Sequence, residues 1–131
     1  MGMMSTQCES CMKKDTLLLD TCSSISTVFN KELIRNCSVL DVRDHVQLLA
    51  NGNGNMIYKH EGDLNLLPLK VYYNEESMAN VLAMKDIVSI PGVKITMDTS
   101  KGREIKVCRS GSDDLVFKEC DEGLQFGFRT G

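Results

Sequence analysis

Three sets of side chains in this sequence have the chemistry of a reactive or metal-binding centre: one aspartate behind an apolar run, two closely spaced cysteines, and two histidines. The aspartate is Asp20, which follows Thr16-Leu17-Leu18-Leu19 and precedes Thr21-Cys22-Ser23-Ser24. A carboxylate directly behind three leucines is an odd use of charge, because burying it is costly unless hydrogen bonds compensate. Two roles fit. Asp20 can cap a turn by accepting hydrogen bonds from backbone amides, or it can act as an acid or base on a substrate. The local pattern by itself favours the cap.

Cys8 and Cys11 have the C-x-x-C spacing of half a zinc site. A compact zinc knuckle would continue with His at position 16 and Cys at position 21, where this chain has Thr16 and Thr21, and Cys22 falls one residue away. No metal is expected. His45 and His60 lack partners at ligand spacing and read as surface or strand residues. No serine has the glycine-flanked elbow of a hydrolase, and neither glycine-rich stretch has phosphate-loop spacing, so most enzyme classes lose their support.

The chain that must position Asp20 has 131 residues, enough for one domain with a core of its own. With 42% hydrophobic and 25% charged residues, it falls in the ordinary range of folded proteins. A net charge of −3, from 15 basic and 18 acidic residues interspersed, offers no positive field to a phosphate backbone, so no nucleic-acid partner is expected. The apolar runs Leu17 to Leu19 and Leu66 to Leu69 are far shorter than the roughly 20 residues of a membrane span. Nor does the start show a basic stretch followed by an apolar one. The expected setting is intracellular and cytoplasmic, with no membrane partner, and the six cysteines then read as mostly free thiols.

Residues 1–14 show no periodicity and read as a flexible tail, with the folded domain spanning 15–131. Thr16 to Leu19 reads as a buried strand delivering Asp20 to a loop. Asn30 is placed to cap a short helical turn over Lys31, Glu32, Leu33 and Ile34. Val46 to Ala50 and Met56 to Tyr58 flank Asn51-Gly52-Asn53-Gly54-Asn55, whose residues tolerate positive φ, and this predicts a hairpin. Gly62 is expected to break the returning strand, with strand character resuming over Leu64 to Tyr73 and Pro68 marking an edge or bulge.

Met78, Val81, Leu82 and Lys85 recur at three- and four-residue spacing behind Ser77, predicting a helix over 75–88 stopped by Ser89-Ile90-Pro91-Gly92. Alternation in Val93, Ile95 and Met97, returning in Ile105 and Val107, predicts a second hairpin. Leu115 to Phe117 and Leu124 to Phe128 are expected to close the chain as strands. The predicted class is all-β, mainly antiparallel, with one short helix.

Four blocks in this order resemble the retropepsin-like aspartic proteases of copia-type retrotransposon polyproteins, over roughly residues 15–128. The first is Leu17-Leu18-Leu19-Asp20-Thr21-Cys22-Ser23-Ser24, similar to the family's apolar strand, Asp, Ser or Thr, Gly and small residues, with Cys22 in place of the glycine. The second is the glycine-rich hairpin from Val46 to Gly62, in the position of the flap. The third is Met78-Ala79-Asn80-Val81-Leu82-Ala83-Met84, like the pattern of Asn, two aliphatic residues and a small residue before a helix. The fourth is Gly92 to Asp98 followed by Gly123-Leu124-Gln125-Phe126.

The resemblance implies a closed, mostly antiparallel β fold and a homodimer in which each chain supplies one catalytic aspartate, here Asp20. It also implies active-site loop support from Thr21, Cys22 and Ser23, a flap over Asn51, Gly52, Asn53, Gly54 and Asn55, a polypeptide substrate, and no metal or cofactor. Tyr58 lies in the same hairpin and reads as a cross-strand packing residue. The alternative is the same fold kept as a catalytically degenerate dimerisation or spacer module, with Asp20 as a turn residue. Cys22 is the feature that favours it, since glycine there would allow positive φ and close approach of paired loops. A zinc-binding adaptor built on Cys8 and Cys11 is a third reading.

Overall fold

A computed structural model describes residues 15–50, 54–100, 102–120 and 125–130. The described residues fold chiefly into β-strands, antiparallel pairs dominate, and the α-helical content among them is one short segment. The strands are β1 (Thr16–Asp20), β2 (Thr27–Val28), β3 (Ile34–Val39), β4 (Val46–Ala50), β5 (Gly54–Tyr58), β6 (His60–Leu64), β7 (Lys70–Tyr73), β8 (Asn80–Ala83), β9 (Lys94–Asp98), β10 (Glu104–Cys108), β11 (Leu115–Cys120) and β12 (Gln125–Arg129). The helix α1 is Met84–Val88. Ten strands join in the order β3-β6-β7-β2-β8-β1-β12-β11-β10-β9, and β4-β5 forms a separate two-stranded sheet.

The three consecutive leucines of β1 follow from its central place, flanked by β8 on one side and β12 on the other. Alternate side chains leave a strand on opposite faces. Leu17 and Leu19 enter the main core, while Leu18 meets Ala79 and Val81 in a small second cluster. A strand covered on both faces reads as a continuous apolar run instead of an alternation. The main core also contains Leu33, Ile34 and Leu64 from one end of the sheet and Ile105, Val107, Leu115 and Phe117 from the other. Those distant strands share one cluster, so the sheet curls around it. Each large side chain buried there contributes about 1.5 to 3 kcal/mol by leaving water.

Both expected hairpins form, as β4–β5 and β9–β10. Asn30 caps a 3-10 turn over Lys31–Leu33, its side chain accepting from the Glu32 amide. The helix expected over 75–88 is corrected. Asn74 to Ser77 is a turn closed by Asn74, residues Asn80–Ala83 are strand β8, and only Met84–Val88 is helical. The spacing of Val81 and Leu82 suits a helix face, but pairing with β1 and β2 sends them to opposite faces of a central strand. Met78, expected on the helix's apolar face, is exposed.

Gly62 does not break the strand either, but lies within β6. A Cβ there would stand 2.8 Å from Ile34 Cδ1 and 3.2 Å from the Arg35 carbonyl oxygen, so the close approach of β3 leaves a side chain little room unless Ile34 shifts. Pro68 occupies the exposed turn between β6 and β7, outside both strands. The β3–β6 ladder has a register shift between Arg35 and Ser38, where Asn36 takes φ 56°. Asparagine tolerates this left-handed conformation better than most residues.

Candidate active site

Strand β1 runs parallel to β8, with Asp20 opposite Ala83 at the C-terminal ends of both. The chain leaves the sheet there and turns sharply. The Asp20 carboxylate directs the turn: Oδ1 accepts from the Cys22 amide at 2.8 Å, and Oδ2 accepts from the Ser23 hydroxyl at 2.5 Å. With one hydrogen bond to each oxygen, the carboxylate has a fixed orientation. Asp20 and Ser23 are half-buried, whereas Thr21 and Cys22 are exposed, with Thr21 Oγ1 3.8 Å from Cys22 Sγ.

Of the two geometries open to position 22, the left-handed one that suits glycine and an ordinary one, the structure has the second. Among the described non-glycine residues, positive φ occurs at Asn36 alone, so the Cys22 backbone lies in an ordinary region. The loop accommodates the cysteine without left-handed strain.

Two polar side chains hold the frame of this loop: Asn80, which the sequence reading named only as part of the third block, and Ser26, which it did not single out. Asn80 is fully buried, accepting from the Phe29 and Asn30 amides at 2.9 and 3.3 Å and donating to the Thr16 carbonyl at 3.2 Å. It thereby joins β8 to β1 and to the end of β2. Ser26 is also buried. Its hydroxyl donates to Asp86 Oδ2 at 2.6 Å and accepts from the Ala83 amide at 2.9 Å. An Asn among aliphatic residues was the available signal for the first, since a buried amide must find partners. Ser26 carries no such signal in its own neighbourhood, because Asp86 lies 60 residues away in sequence.

Of the expected flap residues, Asn51, Gly52 and Asn53 lie outside the described residues, while Gly54 and Asn55 open β5 opposite Ala50 and Leu49. Tyr58, at the base of the hairpin, is buried. Its hydroxyl bonds with the Ser77 hydroxyl at 2.9 Å, and its ring lies 6.5 Å from that of Tyr72. Asn74 donates to the Ile57 carbonyl at 2.8 Å. Beside this base is an open groove of about 690 Å³, lined among others by Met56, Ile57, His60, Tyr73, Asn74 and Met78. Asp20 is not among the residues lining it.

His45 Nε2 lies 3.2 Å from the Leu40 carbonyl, and His60 stands edge-on to Tyr73, its ring centroid 6.2 Å away. Both therefore have local structural partners. Cys8 and Cys11 lie outside the described residues, and no group of three or more potential metal-ligating side chains occurs among the described residues. No helix among the described residues is long and apolar enough to cross a membrane.

Chemically, the arrangement presents one oriented carboxylate at the C-terminal end of a central strand, with exposed Thr21 and Cys22 beside it. The same two hydrogen bonds would serve a structural turn or a catalytic acid. Comparison with protein-family models, curated proteins and solved structures returns no match.

Proposed function

We propose that this chain is the retropepsin-like aspartic endopeptidase segment of a copia-type retrotransposon polyprotein, working inside the cell as a homodimer on polypeptide substrates. The observation that carries the reading is the parallel β1–β8 pair with Asp20 opposite Ala83, its carboxylate oriented by Cys22 and Ser23 at the point where β1 ends. This arrangement joins the first and third blocks of the family resemblance, which are more than 50 residues apart in sequence, in one structural unit.

One carboxylate does not make an aspartic protease. In a two-fold dimer the partner supplies a second, since an isologous interface repeats each residue across the axis. Two carboxylates within hydrogen-bond range share one proton, because ionising both is costly. The ionised member takes a proton from a bound water, which attacks the scissile carbonyl. The protonated member donates its proton to the developing oxyanion, and the proton taken from the water then passes from the other member to the leaving amine. Exposed Thr21 is available for contact between the paired loops. The β4–β5 hairpin would cover an extended peptide bound as an added strand.

The second reading, a catalytically degenerate dimerisation or spacer module, has one observation in its favour. The loop has settled around Cys22 in a conformation that does not need the family's glycine, and the thiol occupies its exposed surface. Sedimentation and peptide cleavage by wild type and Asp20→Asn separate the two readings. The protease reading expects a dimer at micromolar concentration, activity greatest at acidic pH and untouched by EDTA, and a loss in Asp20→Asn of about a thousandfold, within the range of acid–base catalysis. A dimer that does not cleave supports the spacer. A strict monomer, with and without a peptide inhibitor of aspartic proteases, counts against both.

A further inference from the structure

The loop that begins at Asp20 returns to the residue beside Asp20. Ala83 is the register partner of Asp20 across β1–β8, and six residues after Asp20 the Ser26 hydroxyl accepts the Ala83 amide proton at 2.9 Å. That hydroxyl has one proton to give, and it goes to Asp86 Oδ2 at 2.6 Å. Its orientation is thereby determined: a hydroxyl that donates to Asp86 presents its lone pairs to Ala83. Ser26 is 1% exposed, so water does not compete for these bonds. The Ser26 carbonyl in turn accepts from the Tyr72 amide at 3.0 Å, which fixes the backbone from β7.

We propose that Asp86, acting through Ser26, is a positioning residue for Asp20. The claim rests on the protease reading of Asp20 and deepens it. Asp86 touches neither Asp20 nor the Cys22 amide in the hydrogen-bond pattern. Its influence runs from α1 through the Ser26 hydroxyl to the far end of the loop, and so to the angle at which the Cys22 amide and Ser23 hydroxyl meet the carboxylate. Asp86 makes its other close charge contact with Lys85, at 3.9 Å on a largely exposed side chain, so Ser26 holds the shorter and better shielded bond.

The test uses the full chain carrying Asp86→Ala or Asp86→Asn, with two readouts. The first is hydrogen exchange of the Cys22 amide, which bonds to Asp20 and not to Asp86. In Asp86→Ala it should speed up by about tenfold, the factor that one lost hydrogen bond accounts for. The Val107 and Phe117 amides in the distant β10–β11 ladder should stay as they are. The second readout is peptide cleavage, where kcat should fall by about tenfold with KM within about twofold, the pattern of a lost transition-state alignment.

Asparagine retains an oxygen that can accept the Ser26 proton, so Asp86→Asn should recover both readouts to within about threefold of wild type. An unchanged Cys22 amide in Asp86→Ala overturns the proposal. So does an equal rise at Val107 and Phe117, which would mark an ordinary loss of stability. A wild type that does not cleave counts against the protease reading alone, and the Cys22 amide still decides whether Asp86 positions the loop.

Discussion

From Asp20 to Ser26 the chain turns on hydrogen bonds made within the loop and back to β8, whereas from Val46 to Tyr58 the hairpin bonds mainly to itself. The loop lies between the central strands of the large sheet, framed by buried Asn80 and Ser26. The hairpin is a two-stranded sheet of its own, attached at its base through Tyr58 and Asn74. Local opening costs least where few buried contacts must be broken. The difference therefore separates a fixed acid from a part that can move at low cost. That division suits an enzyme whose carboxylate must hold its angle while a cover admits an extended peptide.

The contrast breaks if the loop's frame proves dispensable, and Asn80→Ala is the largest such perturbation. It strips partners from the Phe29 and Asn30 amides and the Thr16 carbonyl at once. Losing these three bonds and the fully buried amide that makes them should cost about 3 kcal/mol in a urea titration. A loss below about 1 kcal/mol, the net worth of a single hydrogen bond, would mean that β1, β2 and β8 hold together without the amide.

Tyr58→Phe makes the matching cut at the hairpin. It removes only the hydroxyl that meets Ser77 and leaves the ring against Tyr72. The expected cost is about 1 kcal/mol. It should be felt locally: the β4–β5 amides should exchange faster while the Cys22 amide does not change. Equal acceleration in both regions would show that the hairpin and the loop open together, and the contrast would not hold.

How much of this was legible in the sequence follows the same division. Contacts between near neighbours could be read. Asn30 capping its own turn, the two hairpins, and Asp20 at the end of a buried strand each depend on residues close in the chain. Features set by distant partners were not readable. The segment 80–83 has helix-like spacing and becomes a strand only because β1 and β2 are there to pair with it. Gly62 looked like a break because nothing near it in sequence announces Ile34. The Ser26–Asp86 bond spans the same kind of gap, and so the loop was visible while its support was not.

Cys22→Gly has a smaller expected effect, and it tests whether the loop's rigidity is built around the cysteine. Because Cys22 has no positive φ, glycine removes no strain and only widens the unfolded ensemble, at a cost of about 0.4 to 1 kcal/mol. A strained position 22 would instead give a tighter dimer and faster turnover with glycine. A glycine variant that is more stable, with a lower dimer dissociation constant, would point to that strain. The expected result is a slightly less stable protein that is no more active.

The smallest effect concerns pH, and it acts on the hairpin's side of the contrast. The hairpin passes through Lys59 into β6, where Asp63 accepts from Asn36 at 3.0 Å and from Lys70 at 2.9 Å. The Asn36 amide, then the Lys70 ammonium, hold the Asp63 carboxyl below its usual value of 3.8. A carboxyl lowered in the folded state contributes stability that is fully present above the unfolded value and is lost as pH falls through the folded one. Acid should therefore weaken the β3–β6 ladder below pH 3.8, and with it the strand that leads out of the hairpin.

Asn36→Gly isolates this contribution. Glycine accepts the left-handed φ of 56° and removes the amide, while its added unfolded-state freedom does not depend on pH. The stability gap between wild type and Asn36→Gly should be constant above pH 5 and shrink steadily as pH drops below 3.8. Exchange should quicken first at Gly62 and Tyr58, ahead of Cys22. A gap that stays constant across the acid range would remove Asp63 as its cause, and acid would then not distinguish the hairpin from the Asp20 loop.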